Sequence, residues 1–417
     1  MVDTSAAEPR TRARRVGLDL ALVLGVTIAL ELLLQLASIT SDRVALVLSS
    51  GVPIALPDAR LGMRGNPAAP EHDDHGWRNA QRPARVEQVA IGDSQTYGDE
   101  VGREQAWPQR LAAHSGLRTY NLALGGYGPV QYLRLVDDAL ALAPERVLIG
   151  LYAGNDLADA YLAVHERGLA DELLPDAATR AELGAAANER GPLTAAWLAT
   201  GAARRGRVKQ ALRQLSEPII DHSRLFGLLH ALVRVATPRR PEKRTGSRRK
   251  SWEHYARRVA DLDPALLLPV PAGRSGTILT PSARAAVLDA SDPRVREGER
   301  IGLAALDAAA RRCGERCRLI VVAIPTKELV FADAVSAQRM QPPRVYDRLV
   351  ADERALWSRV REFLARRGIE LVDSLPELRA ALARGDDPYP PDWNGHPNDA
   401  GNDAIALAVL RALPPGG

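Results

Sequence analysis

Short apolar runs recur along the chain from residue 86 onward, at residues 86–91 (VEQVAI), 118–122 (RTYNL), 146–152 (RVLIGLY), 318–324 (RLIVVAI) and 369–372 (IELV). Between them, residues 107–114, 130–142, 295–312 and 352–366 carry apolar positions at helical spacing. Buried strands alternating with helices predict an α/β domain, a parallel sheet covered on both faces. Polar and glycine residues gather just after the strands, as in Gly92-Asp93-Ser94 and Gly154-Asn155-Asp156. Open sheets of this kind place their ligands there. Residues 157–290 break the rhythm with helical pieces, prolines and a basic run at 237–250 (TPRRPEKRTGSRRK). This stretch reads as a mostly helical insertion with a solvated loop at 237–250.

The longest apolar run, residues 16–38 (VGLDLALVLGVTIALELLLQLAS), contains only two acids, Asp19 and Glu31. About 20 residues rising 1.5 Å each cross a hydrocarbon core of about 30 Å. The run is long for a signal-peptide core and no A-x-A site follows it, so it predicts an uncleaved transmembrane anchor. Arg10, Arg12, Arg14 and Arg15 precede it without a matching cluster immediately after, which places the tail 1–15 in the cytoplasm. The rest of the chain is then periplasmic or extracellular. Glu31 is expected at the interface, where a carboxylate is least costly. A weaker stretch at 44–56, broken by Ser49, Ser50, Gly51 and Pro53, is expected on the membrane surface or against the domain. Residues 39–85 read as a juxtamembrane segment and 86–412 as the folded domain.

Composition narrows the function classes. The 46% apolar and 25% charged content is that of an ordered globular protein. The net charge of +4 looks like that of a polyanion binder until it is located. Residues 1–15 carry a net +2 and residues 234–258 a net +8, which leaves the remainder at −6. With 4% aromatics and no basic–aromatic interleaving, nucleic acid is not an expected partner. Two cysteines exclude a four-thiolate zinc site. Cys313 and Cys317 stand four apart at a helix end, where a local disulfide and two free thiols both fit; the spacing is not that of a redox centre.

Four separated segments each supply one part of an acyl-transfer site. Ser94, following a strand and Gly92-Asp93, can expose both its hydroxyl and its own N–H, as a nucleophile and oxyanion donor require. Gly125, Gly126 and Gly128, in the stretch that begins at Asn121, let a backbone N–H approach a ligand. Asn155 can donate to an oxyanion, while Asp156 can hold the loop or cap the next helix. His396, in Pro391-Asp392-Trp393-Asn394-Gly395-His396-Pro397-Asn398, can act as a general base with a nearby aspartate to orient it.

Taken together, these segments resemble the SGNH hydrolases, or GDSL esterases: Gly-Asp-Ser, a glycine, Gly-x-Asn-Asp and an acid–histidine pair, in that order. The resemblance covers about residues 86–156 and 318–412. It extends to a membrane-anchored bacterial subgroup through Gly92-Asp93-Ser94-Gln95-Thr96-Tyr97-Gly98, Trp107-Pro108, residues 121–128, and Gly154-Asn155-Asp156-Leu157. Pro325-Thr326-Lys327-Glu328 is similar to that subgroup as well, without an assigned role. The resemblance implies a three-layer α/β/α sandwich with a flavodoxin-like sheet. It also implies Ser94 as nucleophile and His396 as base, with Ser94 N–H, Gly126 N–H and the Asn155 side chain as the oxyanion hole. Asp93 and Asp156 are expected in support. The family acid stands three residues before the histidine, where this chain has Trp393. Asp392, four before, is the first choice for the triad acid, with another acid or a Ser–His dyad assisted by a backbone carbonyl as the alternatives; Asn394 lies two before.

The expected function is therefore a membrane-anchored extracytoplasmic serine esterase acting on O-acyl groups, foremost acetyl, of envelope glycans or lipids, with no metal or organic cofactor. An O-acyltransferase using a sugar hydroxyl, beside a polytopic membrane partner, would use the same residues. A catalytically weak scaffold or glycan-binding subunit is the alternative that the irregular acid spacing suggests.

Overall fold

The computed structural model describes residues 8–40, 53–205, 250–338 and 340–413, together with Ser223, Leu225 and Leu228. The chain divides into two compact units.

The first unit comprises Met1–Ile54 and Arg207–Glu242. Its main described element is helix α1 (Glu8–Thr40), built from leucine, alanine and valine without a proline after Pro9. Within α1, Asp19–Ala37 has a mean hydropathy of 2.3 and is long and apolar enough to cross a membrane. Leu22, Val23, Leu32 and Leu33 stand exposed on it. Glu31 was expected simply at an interface, but it has partners. One carboxylate oxygen accepts from the Ser223 hydroxyl at 3.0 Å and the Leu225 N–H at 2.9 Å. The other accepts from Gln35 Nε2 at 2.8 Å. A carboxylate in apolar surroundings is tolerated when donors fill its lone pairs. Residues 44–52, the larger part of the weaker apolar stretch, and 237–249 of the basic loop lie outside the described residues.

The second unit comprises Ala55–Gly206 and Lys243–Gly417. It opens with a hairpin, β1 (Ala55–Asp58) and β2 (Gly62–Gly65). Then follow β3 (Gln88–Ile91), α2 (Ser94–Tyr97), α3 (Trp107–Ser115), β4 (Thr119–Asn121), α4 (Pro129–Leu140), β5 (Arg146–Tyr152) and α5 (Asp156–His165). The insertion supplies α6 (Ala177–Arg190), α7 (Ala195–Arg205), α8 (Trp252–Val259), the hairpin β6 (Leu268–Val270) and β7 (Thr277–Leu279), and α9 (Pro281–Leu288). The chain closes with α10 (Pro293–Cys313), β8 (Arg318–Ile324), α11 (Lys327–Val330), α12 (Ala332–Ala337), α13 (Arg344–Ala365), β9 (Glu370–Asp373), α14 (Leu375–Ala383) and α15 (Asp399–Ala412).

Five strands form the central sheet in the order β4-β3-β5-β8-β9, every neighbouring pair parallel. That is the 2-1-3-4-5 order of flavodoxin-like sheets, whose switch point lies between the first and third strands. Val147, Leu148, Ile149, Ile320, Val321 and Val322 are fully buried. Residues covered on both sides explain the continuous apolar runs. Helix α10 packs on α4 and α5, while α15 packs on α3 and α14, giving a helical layer on each face. Thr96 requires two glycines: a Cβ on Gly92 would lie 2.1 Å from its Oγ1, and one on Gly150 2.3 Å. Helix α2 therefore sits down on β5, which fixes Ser94 at the end of β3.

Three boundaries differ from the sequence reading. Helix α13 starts at Arg344 rather than 352, because its first turns bury Tyr346, Leu349 and Val350. Helix α5 belongs to the core layer, so the insertion starts after His165 rather than at 157. Residues 55–85 are part of this compact unit rather than a juxtamembrane spacer. Asn79 pairs with both backbone groups of Asn121, at 2.9 Å each, and the buried Arg78 guanidinium donates to the carbonyls of Tyr97, Gly98 and Val101. Cys313 and Cys317 are joined in a disulfide.

Candidate active site

The carboxyl ends of β3, β4 and β5 and the loop before α15 converge at the switch point. Ser94 follows β3 as the first residue of α2. Asp93 caps that helix, its Oδ1 accepting the Gln95 N–H at 2.8 Å, which holds the turn that presents Ser94. Gly125 lies against Ser94, since a Cβ there would be 3.6 Å from the Ser94 Cβ, and Gly126 takes φ +82°, a conformation suited to glycine. Among the described residues, the N–H groups of Ser94, Gly125 and Gly126 have no protein acceptor. Three unspent donors beside one hydroxyl suit an anion that forms during reaction.

Across from Ser94 stands His396, its Nε2 2.8 Å from Ser94 Oγ. Its Nδ1 is 2.7 Å from Asn394 Oδ1, which also accepts the His396 N–H at 3.1 Å. The expected partner, Asp392, does not reach the ring. Its Oδ1 accepts the Asn394 N–H at 2.8 Å and so shapes the loop, while its carbonyl points to Lys327. The turn between 392 and 396 is tight enough that the side chain two residues before the histidine, rather than four, meets the imidazole. Trp393 turns away from the ring, packing edge-on against Tyr255 of α8 with the Arg258 guanidinium 5.1 Å over its face.

Charges surround the imidazole unevenly. Burial holds the His396 pKa below its ordinary value, Asp99 raises it and Arg284 lowers it. The Asp99 carboxylate stands 4.0 Å from Nε2. The Arg284 guanidinium donates to the Gly154 carbonyl at 2.9 Å and lies 4.3 Å over the Trp197 ring. Asn155 directs its Nδ2 to Asp159 Oδ2 at 2.6 Å, which takes up one of the two amide hydrogens. Asp156 accepts the Tyr152 N–H at 2.8 Å and the Tyr132 hydroxyl at 3.0 Å, holding the end of β5. Burial is the main cause that pushes Asp93 up to about 7, Asp159 to about 6, and Asp156 well above the carboxylate range; repulsion from neighbouring carboxylates adds to it at Asp93 and Asp156.

The segment Pro325-Thr326-Lys327-Glu328 now has a role. Thr326 caps α11 through its hydroxyl, which also donates to the buried Glu353 carboxylate. The cap places Lys327, 1% exposed, beneath the histidine loop. There its ammonium donates to the carbonyls of Asp392 at 2.7 Å, Asn394 at 3.0 Å and, more weakly, Pro390 at 3.4 Å. From the insertion, Thr277 Oγ1 donates to the Pro390 carbonyl at 2.8 Å and Ile278 N–H to that of Asp392 at 3.3 Å. Glu328 accepts from Thr280 N–H at 2.8 Å, tying α11 to the same hairpin. Sequence reading noted Lys327 without a role for it, and missed Thr277 and Arg284 because neither lies near the motifs along the chain. Asn394 was visible but carries the wrong charge for a triad acid. Among the described residues, no cluster of histidine, cysteine, aspartate or glutamate could hold a metal ion.

Residues 90–261 match the GDSL-like Lipase/Acylhydrolase family. Solved structures similar to the chain include a lipolytic protein of the G-D-S-L family from Desulfitobacterium hafniense DCB-2, at 13% identity, covering 78% of this chain and 98% of that one, with a TM-score of 0.33. LAE5, an alpha/beta hydrolase enzyme from the metagenome of Lake Arreo, Spain, is 14% identical over 79% of this chain and 96% of its own, with a TM-score of 0.33. An extracellular lipase from Streptomyces rimosus is 12% identical over 78% of this chain and 99% of its own, again with a TM-score of 0.33. Overlays at these scores add nothing to the assignment. No curated protein is significantly similar to the chain in sequence. The family match thus identifies residues 90–261 as part of a GDSL-like lipase/acylhydrolase domain of the SGNH type, that of a serine ester hydrolase.

Proposed function

We propose that the protein is a membrane-anchored, extracytoplasmic esterase that removes O-acyl groups, acetyl foremost, from envelope glycans or lipids. Ser94 Oγ attacks the ester carbonyl carbon as His396 Nε2 takes the hydroxyl proton. The Ser94 and Gly126 N–H groups receive the oxyanion, with the Asn155 side chain beside them. When the tetrahedral adduct collapses, the imidazolium returns its proton to the departing alkoxide and an acyl-serine remains. Water, deprotonated by the same nitrogen, then attacks the acyl carbon, and the imidazolium returns that proton to Ser94 Oγ as the acid departs. The observation that carries this reading is the 2.8 Å contact between Nε2 and Oγ beside unspent backbone donors. Anchoring rests on the span Asp19–Ala37 and on the arginines ahead of it.

The test uses the full chain in detergent. Acetate release from a chromogenic acetyl ester and Ser94 labelling by a serine-directed phosphonate are expected in the wild type and absent in Ser94→Ala. A folded wild type that neither hydrolyses nor labels would overturn the reading. Acyl transfer to an added glycan in excess of hydrolysis would replace water by a sugar hydroxyl as acceptor.

A further inference from the structure

We propose that Glu100 does, through Asn394, the orienting work that a triad aspartate does elsewhere; the inference rests on the esterase reading above. Asn394 is an amide, and an amide can present either its oxygen or its nitrogen to a neighbour. Facing His396 with oxygen, it fixes the proton on Nδ1 and leaves the Nε2 lone pair for the Ser94 hydroxyl. Facing it with nitrogen, it would select the opposite tautomer, in which Nε2 carries the proton and cannot act as base. Something must choose between the two.

In the structure Glu100 makes the choice. Asn394 Nδ2 donates to Glu100 Oε2 across nearly three hundred residues of sequence. An ionised carboxylate only accepts, so Nδ2 must face it and Oδ1 must face the imidazole. One further contact agrees with that orientation: the His396 N–H donates to Oδ1 at 3.1 Å. The chain of dependence runs from the Glu100 carboxylate to the Asn394 amide, the Nδ1–H tautomer and the basic Nε2 beside Ser94. Besides Asn394, the charged groups that face His396 are Asp99 at 4.0 Å from Nε2 and Arg284 of α9. Neither contacts Nδ1, and Asp99 on its own would favour a proton on Nε2, so the Nδ1–H form depends on the Asn394 oxygen. Glu100 is a positioning residue in this scheme.

The arrangement makes an unusual demand on mutants. Asn394→Asp would install an ordinary triad carboxylate, yet it would set two carboxylates at hydrogen-bonding distance, and one of them would hold a proton. Adding Glu100→Gln gives the new aspartate a donor in place of a rival. The single change should therefore lower activity, and the second should restore it.

The experiment measures kcat, KM and the pH profile of acetyl-ester hydrolysis for the full chain and for Glu100→Ala, Glu100→Gln, Asn394→Asp and Asn394→Asp/Glu100→Gln. In parallel, imidazole 15N spectra of wild type and Glu100→Ala report the His396 tautomer without needing turnover. Glu100→Ala is expected to lose about 10- to 100-fold in kcat with little change in KM, because the base is only partly in its working tautomer. Its spectrum should change from a single Nδ1–H form to a mixture. Glu100→Gln should recover part of the loss, and the double variant should exceed both of its parents. Wild-type kcat together with an unmixed Nδ1–H signal in Glu100→Ala would overturn the proposal, as would additive effects in the double variant. If the wild type fails to turn over any ester while its spectrum still shows a Glu100-dependent tautomer, the esterase reading falls and this one stands.

Discussion

Lys327→Met removes the ammonium beneath the histidine loop while nearly keeping its volume. Of the three carbonyls it serves, those of Pro390 and Asp392 keep donors from Thr277 and Ile278. The Asn394 carbonyl loses its donor at 3.0 Å. One part-buried acceptor left bare costs about 1 kcal/mol, at the low end for such groups, and the charge-assisted bond to Asp392 at 2.7 Å is worth about 1.5–3 kcal/mol more. Relief of the desolvated charge offsets part of this. A net loss of about 2–4 kcal/mol is expected, a fall in Tm on the order of 5 °C for a domain this large. Asn394 and His396 ride on the released loop, and a displacement of about 1 Å at a catalytic base costs about 10²-fold in rate. Scanning calorimetry and acetyl-ester kinetics on the same preparation should therefore show kcat falling much more than KM rises. Thr277→Val grips the same loop less, so its effect combined with Lys327→Met should depart from additivity. Wild-type kcat and Tm in Lys327→Met would refute the clamp.

Three other outcomes follow from the charges and the disulfide. Burial raises Asp93 to about 7 from its ordinary 3.8, so the folded state takes up a proton there. Stability from this group is fully present below about pH 4 and is lost as pH rises towards 7; the wild-type minus Asp93→Asn stability difference, followed by denaturant titration, should fall across that window, and a flat difference would refute it. Because burial holds His396 below its ordinary 6.5, the acid limb of kcat/KM should lie below that value; Asp99→Asn should move the limb to lower pH and cost about fivefold on the plateau, roughly 1 kcal/mol for a half-exposed carboxylate 4.0 Å from Nε2. Replacing Cys313 and Cys317 by alanine should cost at most about 2 kcal/mol, since the closed loop is very short, and leave kcat untouched because the bond lies at the amino end of β8, opposite the site.

How much of this was legible along the chain depended on how local each interaction is. The strands at 146–152 and 318–324 were read to the residue, because a strand covered on both faces needs an unbroken apolar run whatever else surrounds it. The placement of Ser94, the glycines after β4 and Asn155 at strand ends, and of His396 in the last loop, was also legible, since turns there demand particular residues. The apolar span in α1 needed only length and composition.

What the tertiary structure alone decided concerns groups that meet across long separations. Asn394 rather than Asp392 meets the imidazole because the loop is bent by carbonyl contacts to Lys327 and Thr277, which lie in other elements. Glu100 reaches that loop only because α2 and its turn are seated on β5 by Thr96. Residues 55–85, read as a spacer, carry buried polar groups whose partners lie in β4 and after α2. A periodic pattern records which side of an element faces the core. It does not record which distant atom fills a given hydrogen bond, and in this protein those bonds decide the tautomer of the histidine.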